Sequence, residues 1–228
     1  MQRLAIIPAR GGSKRIPSKI IRVFLGKPII TYPIQAALSC GLFNEVMVST
    51  DNDEIARVAI ESGAKVPFIR SEKNSNDYAT LADVVLEVLD DYARTGISFD
   101  ILCVLLPTSI LAVGSDFQYA YDQMLKNEAD AVIPVVQYSY PPQRGLQIQN
   151  NILSMKQPEY MNTRTQDLEP IYHDAGQYYF IRTKVFQKEK TLMPKQSYPV
   201  ILPETQVQDI DNPADWAMAE MKYRLRYE

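Results

Sequence analysis

The chain has 228 residues, 46% of them hydrophobic, a formal net charge of −3 and an isoelectric point near 5.4, enough apolar content to pack one large domain or two small ones. The acidic balance argues against broad nucleic-acid binding, and no run is long and apolar enough to span a bilayer, nor does the N-terminus have a signal-peptide layout. Two isolated cysteines and one histidine make neither a disulfide framework nor a structural zinc site, so a cytoplasmic protein without nucleic-acid or membrane partners, its thiols reduced, is expected.

The apolar run Leu4-Ala5-Ile6-Ile7 predicts a buried first strand that feeds directly into Pro8–Ile21, PARGGSKRIPSKII. Gly11 and Gly12 can bring backbone N–H groups close to an anion, and Arg10, Lys14, Arg15, Lys19 and Arg22 crowd cations around them. Residues 1–44 hold seven of the 24 Lys and Arg and none of the 27 acids, a net of +7 against −10 for the rest. This is a polyanion site in outline, the bland alternative being a solvated turn. Neither G-x-G-x-x-G nor G-x-x-x-x-G-K-[ST] occurs here, which removes the main support for a dinucleotide fold or a P-loop.

A helix is expected from Pro28 to about Ser39, stopped at Gly41, then a strand over Glu45–Thr50 and a helix capped by Asp51 or Asn52 and stopped at Gly63. This βαβ spacing predicts a doubly wound α/β fold with a mostly parallel sheet. Val66–Ile69 reads as a short strand, Asp77–Thr80 as the entry to a long helix, and Phe99–Leu106 as a central strand ending at Pro107-Thr108-Ser109. A helix over Asp116–Asn127 and a strand over Ala131–Val136 follow. Ligands in such sheets bind beyond the carboxyl ends of the strands, so the basic loop, Ser49-Thr50-Asp51 and the Pro-Thr-Ser turn should converge. Residues 137–172 break the pattern and read as a β-rich excursion from a single domain spanning 1–228. Ala175–Arg182 returns as a strand, and Pro213–Arg226 as a final helix whose Trp216, Met218, Met221 and Leu225 are expected in the core.

Asp209-Ile210-Asp211 is the second informative element. In an extended segment the two carboxylates face one way with Cα atoms roughly 6.6 Å apart and repel by roughly 3 kcal/mol, so the pair needs water or a cation. Oxygen ligands beside a nucleotide phosphate would select magnesium. Equally, Asp211 or Asn212 can cap the helix that starts at Pro213.

The run AIIPARGGSKRIPSK closely resembles the opening of the bacterial nonulosonic-acid cytidylyltransferases, which make CMP-activated sialic, legionaminic and pseudaminic acids; NTRTQDLEPIYHDAGQYYF and QDIDNPADW are similar to the pseudaminic branch. The resemblance spans nearly the whole chain. It implies a Rossmann-like nucleotidyltransferase fold and an Mg2+-dependent enzyme in which the anomeric hydroxyl of a nine-carbon keto acid attacks the α-phosphorus of CTP and pyrophosphate leaves, serving surface glycan or flagellin glycosylation. It also implies a homodimer whose 137–172 excursion embraces the second subunit and completes its sugar pocket. By the same resemblance the triphosphate loop is Ala9, Arg10, Gly11, Gly12, Ser13, Lys14 and Lys19, with Arg70 and Thr80 near the nucleotide. Arg10, Lys14 and Lys19 would stabilise developing charge. Asp209 and Asp211 would hold the metal, and Asp209, acting through bound solvent, is the candidate base. His173, Asp174, Gln177, Tyr178 and Tyr179 would meet the sugar. Read alone, Arg70 is equally a surface arginine and Thr80 a helix-start hydroxyl.

Three positions depart from the family pattern. Ile20 stands where Asn is usual, Leu106 where Gln or Tyr is common, and Ile110 where Pro is expected. Ile20 removes an amide donor and acceptor beside the triphosphate loop, worth roughly ten- to a hundredfold in affinity for one charged hydrogen bond. A metal-dependent glycosyltransferase and a non-catalytic nucleotide-sugar-binding homologue are the alternatives.

Overall fold

The computed structural model describes residues 1–12 and 16–227. Its elements are β1 (Arg3–Pro8), β2 (Val23–Phe24), β3 (Lys27–Pro28), α1 (Thr31–Ser39), β4 (Glu45–Ser49), α2 (Asp53–Glu61), α3 (Leu81–Arg94), β5 (Ile101–Leu105), α4 (Gly114–Lys126), β6 (Ala131–Gln137), β7 (Leu146–Gln149), β8 (Ile152–Met155), β9 (Tyr172–Asp174), β10 (Tyr178–Arg182), α5 (Thr183–Glu189), β11 (Ser197–Ile201) and α6 (Pro213–Tyr227).

Seven strands form one sheet in the order β11-β6-β10-β5-β1-β4, with β9 also paired to β6. Strand β1 runs parallel to both β4 and β5, and β11 runs parallel to β6. Antiparallel β10 is wedged between β5 and β6, so the sheet is mostly parallel. Strand β5 is central and all five of its residues are buried, as its unbroken apolar run requires. One face packs on Ile34 and Ala37 of α1, Val58 of α2 and Phe117 and Met124 of α4. The other packs on Val85, Val88 and Tyr92 of α3 and Phe186 of α5. The fold is therefore a doubly wound α/β sandwich.

Several boundaries move for identifiable reasons. The first helix begins at Thr31 rather than Pro28, because Leu25 and Gly26 at φ 42° and 97° turn the chain into a small hairpin that pairs Val23 with Pro28. Val66–Ile69 is not a regular strand; only isolated bridges, Lys65 to Met47 and Ile69 to Thr50, form there, and Pro67 has no N–H for a ladder. The strand expected over Ala175–Arg182 begins only at Tyr178, since Gly176 turns at φ 59° and its N–H donates to Asp174 Oδ1 at 2.8 Å. Helix α5 and strand β11 were not anticipated. In the excursion, β7 and β8 form an isolated hairpin, its two-residue turn being Asn150-Asn151 at φ 50° and 62°, and short 3-10 turns occupy much of the remainder.

A third apolar cluster lies beside the carboxyl end of the sheet. Ile16, Phe24, Ile29, Ile110, Ile210 and Trp216 pack together, with Phe24 edge-on to Tyr32, Trp216 and Tyr223 at ring distances of 5.4, 5.5 and 5.8 Å. It is the joint between the N-terminal loop, the residues after the Pro-Thr-Ser turn, and α6. Helix α6 contributes a narrow stripe, Trp216, Ala219 and Tyr223, spaced three and four residues apart. Met218, Met221 and Leu225 lie off that stripe and are 45%, 65% and 74% exposed, so they are surface residues and not core. Cys40 and Cys103 are free thiols. Among the described residues, no helix is long and apolar enough to cross a membrane.

Candidate active site

The carboxyl ends of β1 and β5 open into a cleft of about 460 Å³. Arg10 and Lys19 supply its cations, Asp209 its carboxylate, Gly12 and Thr108 its small polar rim, and Ile20, Leu81 and Leu106 an apolar wall. Backbone contacts set the loop. The Gly11 N–H donates to Asp51 Oδ1 at 3.0 Å, and a Cβ on Gly11 would come within 3.0–3.1 Å of the Asn52 side chain, a close approach that any larger residue could make only if the helix-capping Asn52 gave way. Asn52 is the helix cap, accepting from the N–H groups of Glu54 and Ile55, which leaves Asp51 to hold the loop. Arg10 Nη1 donates at 2.9 Å to both Asp77 Oδ1 and the Asn76 carbonyl.

Lys19 connects the loop to the acidic pair. Its Nζ donates to the Ile210 carbonyl at 2.6 Å and lies 3.6 Å from Asp211 Oδ1. Ile210 is fully buried in the third cluster, which orients the flanking aspartates. Asn212, not Asp211, caps α6: its Oδ1 accepts from the N–H groups of Ala214 and Asp215, while Asp215 Oδ2 accepts from the N–H groups of Asp211 and Asn212. Asp211 is thus spared capping duty. Two aspartates fit a hard divalent cation whose remaining ligands are phosphate oxygens and water; no group of three or more His, Cys, Asp or Glu suited to a metal occurs among the described residues.

A second cleft of about 470 Å³ adjoins the first, and Asp209 lines both. His173, Asp174, Glu204, Gln208 and Lys222 also border it. The Tyr179 hydroxyl donates to Asp174 Oδ2 at 2.6 Å; burial chiefly, then Asp174 and Asp209, pushes that phenol far above its ordinary pKa and keeps it a donor. His173 Nδ1 donates to the Asp174 carbonyl at 2.8 Å, and its ring lies 4.9 Å from that of Tyr138. A larger depression, about 580 Å³, lies at the opposite end of the sheet around Met1, Asp100 and Arg182, away from the carboxyl ends where such folds bind ligands.

Of the expected site residues, Arg10, Gly12, Lys19 and Asp209 meet in the first cleft and His173, Asp174 and Asp209 in the second. Others do different work. Ala9 is wholly buried in the core. Arg70 is neither a cleft residue nor a surface arginine: it is 7% exposed, donates from Nε to Ser49 Oγ at 3.0 Å and from Nη2 to the Ser49 carbonyl, and burial lowers its pKa. Thr80 forms a reciprocal capping box with Asp83 at the start of α3. Tyr178 is a core residue, fully buried and edge-on to Phe117 at 5.3 Å, because strand alternation sends Tyr178 and Phe180 to one face and Tyr179 and Ile181 to the other. Gln177 is buried and braces the site from beneath, its Nε2 on the Gln206 carbonyl and its own carbonyl accepting from the Leu106 N–H and Ser109 Oγ. Ser13 and Lys14 lie outside the described residues. Glu204 and Lys222 were not anticipated, since neither belongs to a recognisable motif and only the third dimension brings them to His173.

A doubly wound sheet with a basic glycine loop and an acidic pair at its carboxyl ends is a protein built to hold a phosphorylated ligand. The family model for cytidylyltransferases matches residues 4–212, and the chain belongs to that family. It is 38% identical to a pseudaminic acid cytidylyltransferase of Campylobacter jejuni, over 100% of this chain and 99% of that one, and 34% identical to a CMP-N,N'-diacetyllegionaminic acid synthase of Legionella pneumophila, again over 100% and 99%. In fold it is similar to the CTP-complexed structure of CMP:2-keto-3-deoxy-manno-octonic acid synthetase, at a TM-score of 0.72 and 18% identity, covering 99% of this chain and 100% of that one.

Proposed function

We propose that this protein couples CTP to a nonulosonic acid, pseudaminic acid first among them, releasing pyrophosphate and the CMP-sugar. The observation that carries the reading is that Asp209 borders both clefts, the position where nucleotide and acceptor would meet. The names of the full-length relatives support the substrates.

In this reading the triphosphate occupies the first cleft. Arg10 has further guanidinium donors beside the Nη1 bonds that fix its place, and Lys19 adds a second cation. Both would offset charge that grows on the phosphate oxygens as the leaving pyrophosphate separates. Asp209 and Asp211 would hold Mg2+, which, when bound, lowers the pKa of the acceptor hydroxyl and neutralises phosphate charge. Asp209 takes the acceptor proton through solvent. His173 and the Asp174–Tyr179 pair shape the acceptor side. The 137–172 excursion leaves Leu146, Ile148, Ile152 and Leu153 at 60–73% exposure, an apolar surface suited to the second subunit of a homodimer. The cytoplasm, where CTP is available, is the expected location.

Pyrophosphate release with Mg2+ and CTP, comparing pseudaminic, legionaminic and N-acetylneuraminic acids with UTP as control, tests this. Selective turnover of pseudaminic acid, lost in Asp209→Asn and on chelation, is expected. CTP binding with no turnover of any of the three would overturn it.

A further inference from the structure

Resting on the reading above, we propose that Lys222 is the cation that receives the carboxylate of the sugar acid and thereby aims its anomeric hydroxyl at Asp209. Lys222 is carried on α6, outside every motif considered so far, yet its side chain borders the second cleft. Its Nζ donates to the Val207 carbonyl at 2.7 Å and the Glu204 carbonyl at 3.0 Å. An ammonium has three donors, so these two bonds fix its position and leave one for a ligand.

The charge inventory of the cleft demands such a group. Three carboxylates line it, Asp174, Glu204 and Asp209, and among the described residues Lys222 is the only Lys or Arg in its lining. Asp174 is occupied by Tyr179 and Gly176, and Glu204 accepts from Ser139 Oγ at 2.5 Å. An anionic acceptor entering this wall without a cation would face like charge alone. Burial lowers the Lys222 pKa while Glu204 opposes the shift, the signature of a partly desolvated cation, and such a cation pairs more strongly with an anion than one in bulk water.

The chemistry of the acceptor gives the contact a second consequence. In the ring form of a 2-keto acid, the carboxylate and the anomeric hydroxyl sit on the same carbon. A cation that holds the first therefore orients the second, and misplacement should lower kcat as well as raise KM.

The test is binding of pseudaminic acid and of its neutral carboxamide to wild type, Lys222→Met and Lys222→Arg, by calorimetry with a non-hydrolysable CTP analogue present, alongside kinetics. Wild type should prefer the acid. Lys222→Met should weaken acid binding by roughly ten- to a hundredfold, lose the acid-over-amide preference and keep its affinity for the CTP analogue, with partial rescue in Lys222→Arg. Retained preference in Lys222→Met would overturn the proposal. So would equal losses of acid, amide and nucleotide affinity with a lowered Tm, which would make Lys222 only a clamp on residues 204–207. Acid binding by the wild type without pyrophosphate release would overturn the underlying reaction and leave the Lys222 assignment standing; no acid binding would overturn both.

Discussion

The Lys19 ammonium lies 2.6 Å from the carbonyl oxygen of Ile210, 191 residues further along the chain. That one hydrogen bond joins the basic loop to the acidic pair and makes them a single unit. Lys19→Met should lower kcat/KM by roughly ten- to a hundredfold for each charged hydrogen bond lost, to Ile210 or to phosphate. Thermal unfolding measured beside pyrophosphate release separates the roles: a lower Tm with turnover intact would leave Lys19 as a brace only.

Burial raises the pKa of five tyrosines, Tyr227 and four others. Burial, the leading cause at each, pushes Tyr32 up to about 12 and Tyr92, Tyr178 and Tyr179 further, whereas an unfolded tyrosine titrates near 10. Above pH 10 the unfolded chain gives up protons that the folded chain keeps, so stability falls as pH rises; below it these groups contribute no slope. Denaturant titrations from pH 7 to 12 should show this onset. Tyr32→Phe should remove about one proton from the slope between pH 10 and 12, roughly 1.4 kcal/mol per pH unit.

Thr80 stands where the family resemblance puts a nucleotide contact, but its hydroxyl donates to Asp83 Oδ2 at 2.7 Å and accepts from the Asp83 N–H at 3.2 Å. Thr80→Ala should therefore cost about 1 kcal/mol of stability, the usual worth of an N-cap, and leave the KM for CTP unchanged. A tenfold rise in that KM with Tm unaltered would return Thr80 to the nucleotide.

Periodicity and punctuation made the doubly wound sheet legible, because βαβ spacing and the stops at Gly41 and Gly63 are local signals. The failures share a cause in tertiary contacts. Pro67 suppressed a strand that its apolar neighbours suggested. Tyr178 and Tyr179 look alike in sequence, and only the register of β10 against β5, Tyr178 opposite Leu105, sends one to the α1 and α4 face of the core and the other to the α3 and α5 face, where its hydroxyl reaches Asp174. In α6, Met218, Met221 and Leu225 are as apolar as Trp216, but the third cluster needs only the Trp216 stripe. Arg70 gave no local hint that its partner would be Ser49. Motif residues are found by pattern; Lys222 and Glu204 are found by where α6 and the segment after β11 come to rest.

Ile20 tests the most consequential departure from the family pattern. It is 7% exposed, packs in the same cluster as Ile30 and Ile34, and forms part of the apolar wall of the first cleft. Its side chain therefore belongs to the core and to the site at once. Ile20→Asn restores an amide beside Lys19 but loses apolar burial, and an amide there without a partner costs about 1–3 kcal/mol. A bound triphosphate would supply that partner. The expected outcome is a lowered Tm in the absence of nucleotide, CTP binding tighter by roughly ten- to a hundredfold, and a larger CTP-induced rise in Tm than in the wild type, as linkage requires. Calorimetry and thermal unfolding with and without CTP measure all three. If CTP affinity is unchanged or weaker while the variant remains folded, the apolar wall is not a weakened copy of the family's pocket but the form in which this chain binds its nucleotide.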